Sequence, residues 1–112
     1  MLSSKTIKII NKEVTGDGIV LSVGMIDSCL SSYMYYEDIT EQISSIFRGL
    51  VKNHAFVDGN KRTAVIVLFI LVQELNMNIA INDSQLFNII IKIAKGNFDV
   101  EDIATMLFGE RK

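Results

Sequence analysis

The chain has 112 residues, 49% of them hydrophobic, a formal net charge of −2, one Cys (Cys29), one His (His54), no Pro and no Trp. That length fits one domain, residues 1–112, with a core that needs no staples. A single Cys excludes an internal disulfide framework and a Cys-based metal site, a single His excludes a two-His metal site, and the mildly acidic balance argues against a protein that coats nucleic acid.

Residues 1–10 lack the continuous apolar stretch and small-residue cleavage site of a signal peptide. The longest apolar run, residues 64–72, falls well short of the about 20 residues needed to span a bilayer. The expectation is a soluble, cytoplasmic protein with no membrane partner and no direct nucleic-acid partner.

Without Pro, turns fall to Gly, Asn and Asp, which cluster at 16–18, 58–60, 76–78 and 96–97. Between these clusters the apolar spacing is helical. A first helix is expected over 4–15. Ile26, Cys29, Leu30, Tyr33 and Met34 then mark one helix face. Ile39, Ile43, Ile46, Phe47, Leu50 and Val51 mark the next, with Asp38 and Glu41 as its capping pair. Residues 60–75 are apolar nearly all round, which predicts a helix at the centre of a bundle. Residues 78–81 read as a short extended stretch. Asn82 and Gln85 cap a helix that turns Leu86, Ile90, Ile93 and Ala94 inward. Asp99 caps the last, with Val100, Ile103, Met106 and Leu107. The fold class is all-α: a bundle of about six helices around a central buried helix.

One segment does not read as packing: residues 53–63, Asn-His-Ala-Phe-Val-Asp-Gly-Asn-Lys-Arg-Thr. Gly59 and Asn60 precede a helix N-terminus, where free N–H groups and the helix dipole favour an anion. Lys61 and Arg62 put two cations in the first turn, which is unfavourable unless an anion binds there. Asp58 is a hard oxygen ligand, and Mg²⁺ typically takes one or two carboxylates plus substrate phosphates. His54, an imidazole with an unperturbed pKa of about 6.5, suits a general base beside them. Each feature also has a bland reading: solvated first-turn cations, a histidine capping the helix before it, an ordinary Asp-Gly-Asn turn. Their coincidence favours a Mg²⁺–phosphate cradle.

Residues 54–63 resemble the signature of the Fic/Doc superfamily, closest to the Doc (death-on-curing) branch. That pattern runs His-x-Phe-x-Asp-(Ala/Gly)-Asn-Lys-Arg-Thr. His54, Phe56, Asp58, Gly59, Asn60, Lys61, Arg62 and Thr63 fill every specified position. Residues 49–53, the apolar helix that follows, and residues 24–30 in the place of a Leu-rich helix extend the likeness. The resemblance implies a Fic-like fold and an ATP- and Mg²⁺-dependent transferase. Fic proteins mostly transfer AMP to a protein hydroxyl. They carry a second Gly where Lys61 stands and a further Arg where Val65 stands. Both differences point toward the Doc branch: a toxin kinase that moves the γ-phosphate of ATP to a threonine of the translation factor EF-Tu and arrests protein synthesis. The alternatives are a Fic-type AMP transferase and a non-catalytic, partner-binding helical module.

Under the resemblance, His54 deprotonates the target hydroxyl and Asp58 holds Mg²⁺ or orients the base. Gly59, Asn60 and Lys61 form the phosphate-binding turn, Arg62 contacts the nucleotide phosphates, and Phe56 anchors the loop. Thr63 is expected to bond within the first helical turn. Ala55 replaces the usual Pro and should loosen the loop slightly. Leu21-Ser22 stands where an Arg-Asp pair is common, and residues 35–38 where the family places a target-docking flap. No Glu is followed by Gly or Asn, so the family's built-in inhibitory motif is absent. That absence implies a separate Phd-like antitoxin whose tail folds on binding into an apolar groove.

Overall fold

The structure, a computed structural model, describes residues 3–53, 55–96 and 98–109. Six α-helices follow one another: α1 (Ser4–Thr15), α2 (Val23–Ser31), α3 (Ile39–Lys52), α4 (Asn60–Glu74), α5 (Asp83–Ala94) and α6 (Val100–Phe108). A 3₁₀ turn, Ser32–Tyr35, joins α2 to α3. The all-α expectation is borne out.

Local chemistry starts most of these helices. Ser3, Ser22, Asp38, Asn82 and Asp99 each accept a hydrogen bond from an N–H of the first turn that follows. Asn82 and Gln85 form the reciprocal box, each bond 2.9 Å long. Helix α4 is the exception: its N-cap is Gly59, which has no side chain to offer.

Helix α3 takes the centre that the all-apolar pattern assigned to residues 60–75. It packs against α2, the 3₁₀ turn, α4, α5 and α6. It buries Ile43, Ser44, Ser45, Ile46, Phe47, Leu50 and Val51. Its buried serines are satisfied along the helix, Ser44 Oγ donating to Thr40 O and Ser45 Oγ to Gln42 O. Helix α4 packs mainly on α1 and α3. It buries Ala64, Val67, Leu68, Leu71 and Val72 but leaves Ile66 37% and Phe69 44% exposed. Apolarity all round permits a central position; having neighbours on every side is what creates one.

Three further expectations change. Tyr33 and Met34 do not extend the α2 face: the helix ends at Ser31 and Met34 is 73% exposed. The cause is local. Ser31 and Ser32 turn their hydroxyls back onto Ser28 O and Cys29 O, and Ser32 Oγ also lies 3.0 Å from Ser45 Oγ. Ala94, expected to face inward, lies exposed in the last turn of α5, while Ile89 is buried there. Residues 78–81 pair with no strand. Ala80 N instead donates to Leu107 O at the end of α6. No helix among the described residues is long and apolar enough to cross a membrane.

Candidate active site

The α3–α4 connection is assembled from four sides. Gly49 on α3 lets α2 come close: a Cβ there would stand 2.7 Å from Cys29 Sγ. Asn53, just past the end of α3, donates through Nδ2 to that sulfur at 3.4 Å. Burial pushes the Cys29 thiol pKa up, partly offset by the Asn53 bond. The thiol therefore stays protonated and is a poor nucleophile.

On the second side, residues 19–22 run antiparallel to residues 55–57. Leu21 N and Ser22 N both donate to Ala55 O, at 2.6 and 3.1 Å, and Val57 N donates to Ile19 O at 3.1 Å. Val20 and Phe56 face each other across this bridge. Ala55 is buried, and its carbonyl accepts both of these hydrogen bonds. Phe56 is buried in the core. Ser22, in place of an Arg-Asp pair, serves as the α2 cap.

On the third side, the Asn60 side chain closes the loop on itself. Its Oδ1 accepts from Phe56 N at 3.1 Å and its Nδ2 donates to Phe56 O at 2.9 Å. One amide thereby satisfies both main-chain groups of one residue, as a neighbouring strand would. Asn60→Ala should destabilise the chain by about 1–3 kcal/mol, since both Phe56 groups lose a partner in a half-buried place. A thermal melt checks this; an unchanged midpoint would mean that the staple carries no weight.

The fourth side is α1. Asn11, fully buried, donates through Nδ2 to Asp58 O at 2.8 Å and lies 3.1 Å from Thr63 Oγ1. Gly59 is left-handed at φ 75°, and a Cβ there would stand 2.5 Å from Thr15 Cγ2 and 3.2 Å from Asn11 Nδ2. The sequence marks residues 4–15 as a helix but does not single out Asn11. The available signal was a lone amide four residues after Ile7, on the face that α1 buries. Thr63, expected to bond only within its own turn, does so through N to Gly59 O, while its hydroxyl meets Asn11.

These anchors present the start of α4 to solvent. The N–H groups of Asn60, Lys61 and Arg62 have no partner among the described residues. The first turn holds no acidic residue, and Lys61 and Arg62 are exposed. Asp58 is exposed too, with Oδ1 accepting from Gly59 N at 2.7 Å. A hollow of ≈ 280 Å³ lies here, lined by Asp58, Gly59, Asn60, Lys61 and Arg62 with Val51 and Val57. Free N–H groups, the positive end of a helix dipole and two cations converge on one hollow, which suits an anion. His54, named as the general base, lies outside the described residues. Beside the hollow runs a larger apolar groove of ≈ 590 Å³ between α1, α4 and α5. It is bordered by Val14, Lys61, Arg62, Val65, Ile66, Phe87 and Ile90. The 35–38 segment makes no hairpin: it leaves the 3₁₀ turn and enters α3, with Gln42 Nε2 donating to Tyr36 O.

A helical bundle with a glycine turn, a carboxylate and N–H groups that lack a partner among the described residues at one helix start has the makings of an anion site. The Fic/DOC family model matches residues 5–72, from α1 through most of α4, the stretch that supplies all four sides of the loop. The chain belongs to the Fic/DOC family. Membership supports a protein-modifying enzyme of the Fic type. No curated protein matches the chain.

Proposed function

We propose that this chain is a Doc-like toxin, a protein kinase that transfers the γ-phosphate of ATP to a threonine or serine hydroxyl of a translation factor such as EF-Tu. The observation that carries the reading is Lys61, which stands in the first turn of α4, where the N–H groups of residues 60–62 have no partner among the described residues, and which lines one hollow with Asp58. A Lys there supplies a point charge to a terminal phosphate, where a Gly would leave room for an α-phosphate instead.

In the proposed reaction the target hydroxyl oxygen forms a bond to the γ-phosphorus. The bond from that phosphorus to the β–γ bridging oxygen breaks, and ADP leaves. The hydroxyl proton passes to His54. The N–H groups of residues 60–62, with Lys61 and Arg62, hold and neutralise the phosphates, so most of the work is positioning and charge stabilisation. The described residues contain no cluster of three or more potential metal ligands. Asp58 alone would hold Mg²⁺, the remaining positions going to phosphate and water, which is the usual habit of that ion. Bound there, Mg²⁺ would neutralise phosphate charge.

The apolar groove beside the hollow is our candidate for the tail of a Phd-like antitoxin. Phe87, 62% exposed, and Ile66 offer apolar contact, while Lys61 and Arg62 on the rim suit a carboxylate of the incoming segment. A tail seated there would cover the two cations and inhibit the enzyme.

Incubation with EF-Tu and either γ- or α-labelled ATP tests the activity. Label arriving from the γ position supports the kinase; label from the α position alone would establish AMP transfer. Lys61→Gly should lower phosphoryl transfer about 10²-fold, the usual cost of removing one group that stabilises transferred charge, and should open a path to AMP transfer. Kinase activity that survives intact would reduce Lys61 to a solvated helix residue.

A further inference from the structure

We infer that Asn11, on a helix remote in sequence from the signature, is the positioning residue that orients the Asp58 carboxylate toward the phosphate hollow. The inference rests on the proposed phosphate site and extends it to α1.

The argument follows one peptide plane. The carbonyl of Asp58 and the N–H of Gly59 belong to the same planar unit and point in opposite directions. Asn11 Nδ2 holds the carbonyl at 2.8 Å. The opposite end, Gly59 N, is the group that holds Asp58 Oδ1, at 2.7 Å. Fixing the carbonyl therefore fixes the N–H, and the N–H fixes the carboxylate. The same Nδ2 reaches Thr63 Oγ1 at 3.1 Å, in the first turn of α4. One buried amide thus sets the Asp58 carboxylate in register with the N–H groups of residues 60–62. The fit is close: Asn11 is 0% exposed, and a Cβ added to Gly59, which has a positive φ, would stand 3.2 Å from Asn11 Nδ2 and 2.5 Å from Thr15 Cγ2. The Asn11 Oδ1 has no partner among the described protein groups. A buried acceptor so placed costs stability, and the fold keeps Asn11 there with Nδ2 bonded to Asp58 O and Thr63 Oγ1.

The test uses the full chain with Asn11→Ala and the near-isosteric Asn11→Leu, the second in case the smaller side chain leaves the protein unfolded. In an EF-Tu labelling assay at varied Mg²⁺, either variant should raise the Mg²⁺ concentration for half-maximal transfer about tenfold and lower kcat. Thr63→Val keeps the Asp58 tether and should shift the Mg²⁺ dependence less than the Asn11 variants do. Amide hydrogen exchange gives a readout independent of activity. Exchange at Gly59 should speed up about tenfold in the Asn11 variants, while amides in the middle of α3, such as Phe47, stay protected. Folded Asn11 variants with parental exchange at Gly59 would overturn the inference, as would an unchanged Mg²⁺ requirement in an active enzyme. A parent protein that transfers no label counts against the kinase reading alone, and the exchange measurement then decides the role of Asn11.

Discussion

His54→Ala is expected to reduce transfer to EF-Tu by about 10²–10⁴-fold, the range over which a positioned general base contributes. His54 is the only imidazole in the chain, so no second histidine can take over the proton. The chain on either side is anchored through Asn53 and Ala55: Asn53 N donates to Gly49 O, and Ala55 O accepts from Leu21 N and Ser22 N. The substitution leaves those main-chain bonds in place, and a thermal melt recorded beside the assay establishes that the variant is folded. Binding of an ATP analogue should persist, because the N–H groups, Lys61 and Arg62 remain. Transfer at the parental rate in the folded variant would eliminate His54 as the base. The same variant separates an enzyme from an inert binding module, whose effect on cell growth His54→Ala would leave untouched.

Gly59→Ala should have the largest effect on stability. Gly59 sits at φ 75°, a region that costs an L-residue with a β-carbon about 1–2 kcal/mol. The added methyl would also stand 2.5 Å from Thr15 Cγ2, and relieving such overpacking costs about 1–3 kcal/mol more. A total of about 2–5 kcal/mol corresponds to a fall in Tm on the order of 10–25 °C for a domain of this size. The two causes can be parted. Thr15→Ser removes Cγ2 but keeps the hydroxyl that donates to Asn11 O and accepts from Gly18 N. In the Gly59→Ala/Thr15→Ser double variant the steric part should return and the backbone part should not, a coupling of about 1–2 kcal/mol. Strict additivity would show that α1 does not press on the turn. Transfer activity should fall with either version, since the turn aims the α4 N–H groups.

Both effects trace to a loop whose residue types are legible in sequence and whose support is not. The signature from His54 to Thr63 can be read directly, because glycine, cation and carboxylate chemistry at a helix start is local. The sequence also marks Asn82 with Gln85 and Asp99 as caps, since a cap acts across two or three residues. It does not reveal that Asn60 spends its side chain on Phe56, because an amide suits a phosphate and a main chain equally well. Nor does it reveal that residues 19–22 pair with 55–57: that contact is a short bridge with no run of alternating residues to announce it.

The sequence by itself determined the helical class, the position of most helix starts and the one loop that joins a glycine turn, two cations and a carboxylate. Each depends on interactions between residues a turn or less apart, where residue type and spacing suffice. The tertiary structure decided which helix holds the centre and what holds the loop. Helix α4 has the more apolar sequence, yet α3 is enclosed, because enclosure depends on how many neighbours pack around a helix. Asn11 reaches Asp58 and Thr63 across 47 and 52 residues of chain, a separation at which no local pattern carries information.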